Sequence, residues 1–236
     1  MLQLPTLFDW IERLAFLRGE PAAYLALITA LIIVVAWDWR LAIAALAVQY
    51  FAVGILYLDV LEPRFMIIKL FVGWFVCIML YFTARQVNWG VLPEDVADDE
   101  AIQSQRARQI RFGPYLLPSN APFRIFLALF VALAVIILAE RQALSLPALS
   151  GALNLGVLAL GGLGLVGLAI TGEPLKAGLG LLTFMTGFEL FYNSLDQSIG
   201  MLVFLATSNL ILTLTIAYLA QTRHALPALF WERRTP

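Results

Sequence analysis

The chain has 236 residues, of which 61% are hydrophobic and 13% charged, with a formal net charge of -1. A soluble domain is roughly half apolar and a quarter charged, so this balance excludes an ordinary soluble fold and points to an integral membrane protein. The near-zero net charge offers nothing to a nucleic acid, and the single cysteine, Cys77, allows neither an internal disulfide nor a cysteine-built metal site.

In chain order, the first segment, MLQLPTLFDWIERLAFLRGEP, lacks the basic n-region and small-residue cleavage site of a signal peptide. Leu7, Phe8, Trp10, Ile11, Leu14 and Phe16 fall mostly on one helical face, so residues 1–21 are predicted to form an amphipathic helix lying in the membrane interface. A bilayer needs about 20 apolar residues for a helical crossing. Seven runs approach or exceed that length: roughly 22–37, 41–58, 65–84, 122–139, 148–170, 175–195 and 199–221. The first is short, and Trp37 and Trp39 suit an interface at its end. The expected fold is therefore all-α, a polytopic membrane protein with about seven transmembrane helices.

Seven spans put the two ends on opposite sides. One side receives Arg40, Arg85, Arg106, Arg108, Arg111, Arg124, Lys176, Arg223, Arg233 and Arg234; the other receives Arg13, Arg18, Arg64, Lys69 and Arg141. Ten basic residues against five place the first side in the cytoplasm, with the N-terminus outside and the C-terminus, including a tail at 224–236, inside. The long connection 85–121 is then cytoplasmic. Within it, PEDVADDEAIQSQRARQIRF opens with Pro93 and acids and closes on arginines, the charge order of a surface helix that opposes its own macrodipole. Glu94, Asp95, Asp98, Asp99 and Glu100 match no calcium-loop spacing and read as a solvated helix start. FGPYLLPSNAP reads as a loop leading into the fourth span.

No catalytic constellation is present in the sequence. His224 is the single histidine, beside Arg223 just after the last span, and no histidine pair has haem- or metal-ligand spacing. The glycines of LGVLALGGLGLVG, Gly156, Gly161 and Gly164 among them, lie inside a span and read as helix-packing positions. No metal or cofactor is expected, and the chain is not expected to be an enzyme on its own.

The informative residues are the polar ones at depth. Glu189 lies well inside the sixth span, where a carboxylate costs about 2.5–3.5 kcal/mol on insertion scales. Asn193, four residues on, shares its helical face and is the expected hydrogen-bond donor to it. Lys69 stands near the outer end of the third span, where a lysine can snorkel to the interface. Gln49 lies in the second span, and Thr207, Ser208, Asn209, Thr213 and Thr215 make the seventh unusually polar. Glu189 is then either a hydrogen-bonded packing group or a proton-carrying site, and a complete path would need groups from a partner.

On these residues the last three spans resemble the K subunit of bacterial complex I and the C subunit of multisubunit sodium/proton antiporters. The shared pattern is a basic turn (Lys176), then Gly187, Glu189 and Asn193, then a final helix closing on Gln221, Arg223 and His224. The segment is also oriented as in that family. Where the K subunit has a second glutamate, this chain has Asn209, which cannot titrate. DWRLAIAALAVQYFAVGILYL and RFMIIKLFVGWFVCIMLYF resemble, more weakly, helices of the J subunit, which has one further helix. In that subunit a glycine-containing stretch forms a π-bulge, and Gly73 would occupy its place.

The resemblance implies a J-like membrane half at 22–140 and a K-like three-helix unit at 148–223. It also implies a membrane subunit of a complex-I-like or antiporter-like assembly in a bacterial inner membrane, moving protons or cations through Glu189, with Asn193, Lys69 and Asn209 as auxiliary groups. Its partners would be other integral membrane subunits and the bilayer. Two alternatives remain: a structural subunit without an ion path, and an independent small membrane transporter.

Overall fold

A computed structural model describes residues 15–61, 63–87, 109–112, 115–118, 121–141, 144, 146 and 149–232. Among them seven α-helices follow one another: α1 (Glu20–Val35), α2 (Trp39–Tyr57), α3 (Pro63–Gln86), α4 (Ala121–Glu140), α5 (Gly151–Ile170), α6 (Pro174–Leu195) and α7 (Ile199–Glu232). Five of the seven are long and apolar enough to cross a membrane: α2, α3 from Phe65, α4, α5 and α7 as far as Thr222. The α1 helix has 16 residues, and α6 carries Lys176, Glu189 and Asn193 within its 22.

Local chemistry accounts for the helix boundaries. Pro21 pre-sets the first turn of α1 after Gly19, whose φ of 75° suits a residue without a Cβ. The Asp38 side chain accepts the backbone N–H of Arg40 at 2.9 Å, capping α2. Pro174 opens α6. The connection before α5 is tied down by Asn154, whose amide donates to the Leu144 carbonyl and accepts the Leu146 N–H.

Two sets of contacts fix which helix ends lie together. Arg18 pairs with Asp59 at 2.7 Å, joining the start of α1 to the end of α2. At the opposite end the Arg124 guanidinium donates to the Val34 carbonyl, joining the start of α4 to the end of α1. Gln221 donates to Gln86 there too, at 3.1 Å, joining α7 to the end of α3. We refer to these as the Asp59 end and the Trp37 end. One apolar cluster, with Leu56, Leu160, Leu163 and Leu190, lies among α2, α5 and α6; a second, with Leu46, Leu80, Leu179 and Leu182, lies nearer the Trp37 end.

The glycines bring α5 and α6 together. A Cβ on Gly164 would strike the Phe184 backbone, and one on Gly187 would come within 2.8 Å of the Leu160 Cβ. Gly156 packs against Leu56 and Leu190, while a Cβ on Gly161 would meet open space. Gly156, Gly164 and Gly187 thus serve helix contacts within the chain, while no contact among the described residues requires the bareness of Gly161.

Several expectations are corrected. Residues 109–112, expected to end a surface helix, are instead a strand, Gln109–Phe112, paired antiparallel with Tyr115–Pro118, with Ile110 opposite Leu117. A Gly-Pro step between two runs rich in aromatic and β-branched residues favours a hairpin, so the segment FGPYLLPSNAP is only partly loop. The rest of that surface helix lies outside the described residues, as do residues 1–14 of the interfacial helix; Ala15–Leu17 form a short 3-10 turn. The last helix continues to Glu232, so most of the expected tail is helical. Finally, α3 runs as uninterrupted α-helix through Gly73, with no π-bulge.

Candidate functional site

Three helices each place one polar residue at a common point between them. At about 1.5 Å per residue, Lys69 lies about 9 Å inside the start of α3, and Glu189 about 9 Å before the end of α6. Both measure from the Asp59 end, so the two charges share a level. Lys69 Nζ lies 3.1 Å from Glu189 Oε2, an ion pair with both side chains buried. The snorkelling expected of Lys69 is therefore corrected: the ammonium turns inward because the carboxylate is within reach, and a buried charge is costly unless paired.

The other carboxylate oxygen, Oε1, accepts from Asn209 Nδ2 of α7 at 3.1 Å. Asn193 does not fill that role, although it shares Glu189's helical face. Its amide donates to the Tyr57 hydroxyl of α2 at 3.2 Å, one turn nearer the Asp59 end. Helical spacing brings Asn193 beside Glu189, but a partner on another helix takes its donor. Asn209, 20 residues after Glu189 and on another helix, is the residue that holds its carboxylate.

Gly73 belongs to the same site for a packing reason. It is four residues after Lys69 and so on the same face of α3. A Cβ there would come within 2.6 Å of Tyr50 Cδ1, so the bare backbone lets the Tyr50 ring lie against α3. Close approach of α2 and α3 keeps Lys69 within range of α6. A chamber of about 10 Å³, bordered by Tyr50, Tyr57, Lys69, Gly73, Thr186, Glu189 and Asn209, opens beside the pair. That is about the space one water requires.

Apart from Lys69 Nζ, which has its ion pair, five buried polar atoms have no hydrogen-bond partner among the described residues: both amide atoms of Gln49, Tyr50 Oη, Asn193 Oδ1 and Asn209 Oδ1. By contrast the hydroxyls of Thr183, Thr186, Thr207, Ser208, Thr213 and Thr215 each bond a carbonyl four residues back. The polarity of α7 is thus largely internal to the helix, apart from Asn209. Among the described residues no group of histidine, cysteine or acidic side chains could hold a metal. Cys77 is buried on α3, and the side chain of His224 lies outside the described residues.

Sequence reasoning grouped Lys69 and Asn209 with Glu189 as auxiliary groups but gave Glu189 Asn193 as its hydrogen-bond partner, and it missed Tyr50 and Tyr57. A usable signal was present: one lone cation and one lone anion, in different apolar runs, at equal distance from the same membrane face. No protein-family model, curated protein or solved structure matches the chain.

Proposed function

We propose that this chain is a membrane subunit of an ion-translocating assembly of the complex-I-like or antiporter-like kind, in which Glu189 takes up and releases a proton. In this reading α1 and α6 also cross the bilayer, giving seven spans. The N-terminus is outside and the C-terminus is in the cytoplasm of a bacterium. The observation that carries it is the buried Lys69–Glu189 pair with Asn209 on the second carboxylate oxygen. A paired acid and base at that depth are expensive to retain for packing alone, and ionisable groups within spans mark ion pathways. Moving a proton onto Glu189 would release Lys69, so protonation and the position of a charge are coupled at one point. The unpartnered atoms of Tyr50, Gln49 and Asn193 give a proton polar groups to approach through.

Large apolar side chains exposed on α3, α4 and α7, including Phe71, Phe75, Phe126, Phe130, Phe204 and Tyr218, offer faces for lipid or for neighbouring subunits. They do not separate an ion-translocating subunit from a purely structural one. The Glu189→Gln variant distinguishes the two. It keeps shape and the bond from Asn209 and removes the proton site. The expected result is an assembled complex with ion movement lost or strongly slowed; full ion movement by an assembled Glu189→Gln complex would leave the structural role as the answer.

A further inference from the structure

At the Trp37 end, two buried cations meet on one ring. Arg124 Cζ lies 5.2 Å and Lys176 Nζ 4.4 Å from the centre of the Trp37 indole. Both residues are more than nine-tenths buried, at 2% and 7% exposure. Arg124 spends its Nε on the Val34 carbonyl, and Lys176 has no hydrogen-bond acceptor among the described residues. Among the described residues no carboxylate is within ion-pair distance of either. Glu173 acts on both from further away, and the two cations repel each other. Among the described residues, these two positive charges against the more distant Glu173 leave a positive balance that the indole face only partly offsets.

An apolar groove of about 280 Å³ adjoins this cluster, lined by Leu31, Ile32, Val35, Ala36, Ile125 and Leu129, among others. Val35 and Ala36 directly precede Trp37, and Ile125 directly follows Arg124, so the groove and the cations lie at the same end of the bundle. It runs between α1 and α4, away from the helix ends and toward the apolar level of the bundle. A charged head over an apolar slot, at the level where helices end, matches the chemistry of a membrane lipid.

We propose that Arg124, Lys176 and the adjoining groove bind one anionic phospholipid, its phosphate on the two cations and one acyl chain against Ile32, Val35 and Leu129. The lipid belongs to the leaflet at the Trp37 end. The site rests on the chain's being membrane-embedded and does not depend on Glu189 carrying protons.

The test is native mass spectrometry of the full chain in mild detergent, with dioleoyl phosphatidylglycerol and dioleoyl phosphatidylcholine supplied equally, and with inorganic phosphate as a third probe. The expected result is one retained phosphatidylglycerol in preference to phosphatidylcholine. Lys176→Gln lowers that preference by about fivefold, the worth of one basic residue near anionic lipid, and Lys176→Arg restores it. Lys176 makes no hydrogen bond among the described residues, and Gln keeps most of the length of its stem, so the variant is expected to fold. Leu129→Trp, at an exposed position in the groove, lowers retention of the lipid without touching the cations, and inorganic phosphate does not displace it. Equal retention of the two lipids would overturn the proposal. So would a preference unchanged in Lys176→Gln, an equal loss in Arg18→Gln at the opposite end, or full displacement by inorganic phosphate, which would make the site one for phosphate alone.

Discussion

Removing the Lys69 ammonium while leaving Glu189 in place is the sharpest perturbation the structure offers. At the observed 3.1 Å separation the attraction is about 5 kcal/mol for an effective dielectric of about 20, but each charge also surrendered its hydration. Breaking such a pair costs about 3–5 kcal/mol because the surviving charge is left buried and alone. An unfolded chain within a micelle finds substitute polar partners, which favours the lower figure, about 3 kcal/mol for Lys69→Met. Glu189→Leu strands the ammonium and should cost about as much. The double variant, Lys69→Met with Glu189→Leu, removes both charges in favour of similar apolar volume and should return to within about 1 kcal/mol of the parent. Unfolding of the four proteins in mixed micelles with increasing denaturing detergent gives the cycle. If the two single losses simply added in the double variant, within about 0.5 kcal/mol, the pair would not be an energetic unit and the site as described would be wrong.

Gly73→Ala places a methyl group against the Tyr50 ring and should destabilise by about 1–3 kcal/mol in the same unfolding experiment; an unchanged midpoint would show that α2 and α3 do not approach as closely as described. Tyr57→Phe removes the acceptor of the Asn193 amide and should cost about 1–2 kcal/mol without altering the Lys69–Glu189 coupling energy, which a repeat of the cycle on that background measures. For topology, a cysteine at Asp59 should react with a membrane-impermeant maleimide in intact cells and one at Glu173 only after permeabilisation, Cys77 being buried; the reverse pattern would invert the proposed orientation.

The helices were legible in the sequence because an apolar run of about 20 residues is a strong, local signal. Their ends were also close, since Asp38, Pro174 and the residues around Asn154 are local stop and start chemistry. The hairpin at Gln109–Pro118 was not, because a charge gradient suited to a helix outweighed the Gly-Pro step in the reading. The site was half legible. Depth alone picked out Glu189, and its partner had to be a residue on another helix, which periodicity within one helix cannot identify. The i, i+4 rule accordingly offered Asn193, while Lys69 and Asn209, 120 and 20 residues away, took the contacts. The glycines were legible only in part: a small-residue stripe announces a close approach but does not say to which helix. Here Gly164 and Gly187 join two helices of the same chain.

The position of the pair along the bundle constrains what one chain can do. From the Asp59 end, Tyr57 and Asn193 and then Glu189, Lys69 and Asn209 form a polar column, continued inward by Thr186, Tyr50 and Gln49. At about 1.5 Å per residue, Leu46, Leu80, Leu179 and Leu182 all stand about 8–12 Å inside the Trp37 end. Each is at most 1% exposed, and they pack in one cluster with Val76. A layer of close-packed leucine side chains holds no water and offers a proton no donor or acceptor. The column therefore reaches Glu189 from one end and stops at an apolar plug before the other. Under the proposed function, a proton would be exchanged between the pair and the Asp59 side, and a route onward would have to pass sideways, through a polar group supplied by a neighbouring subunit, or wait for the helices to part. Of the three readings open from the sequence, an independent transporter is the one this geometry supports least, because it alone requires the whole path within these helices.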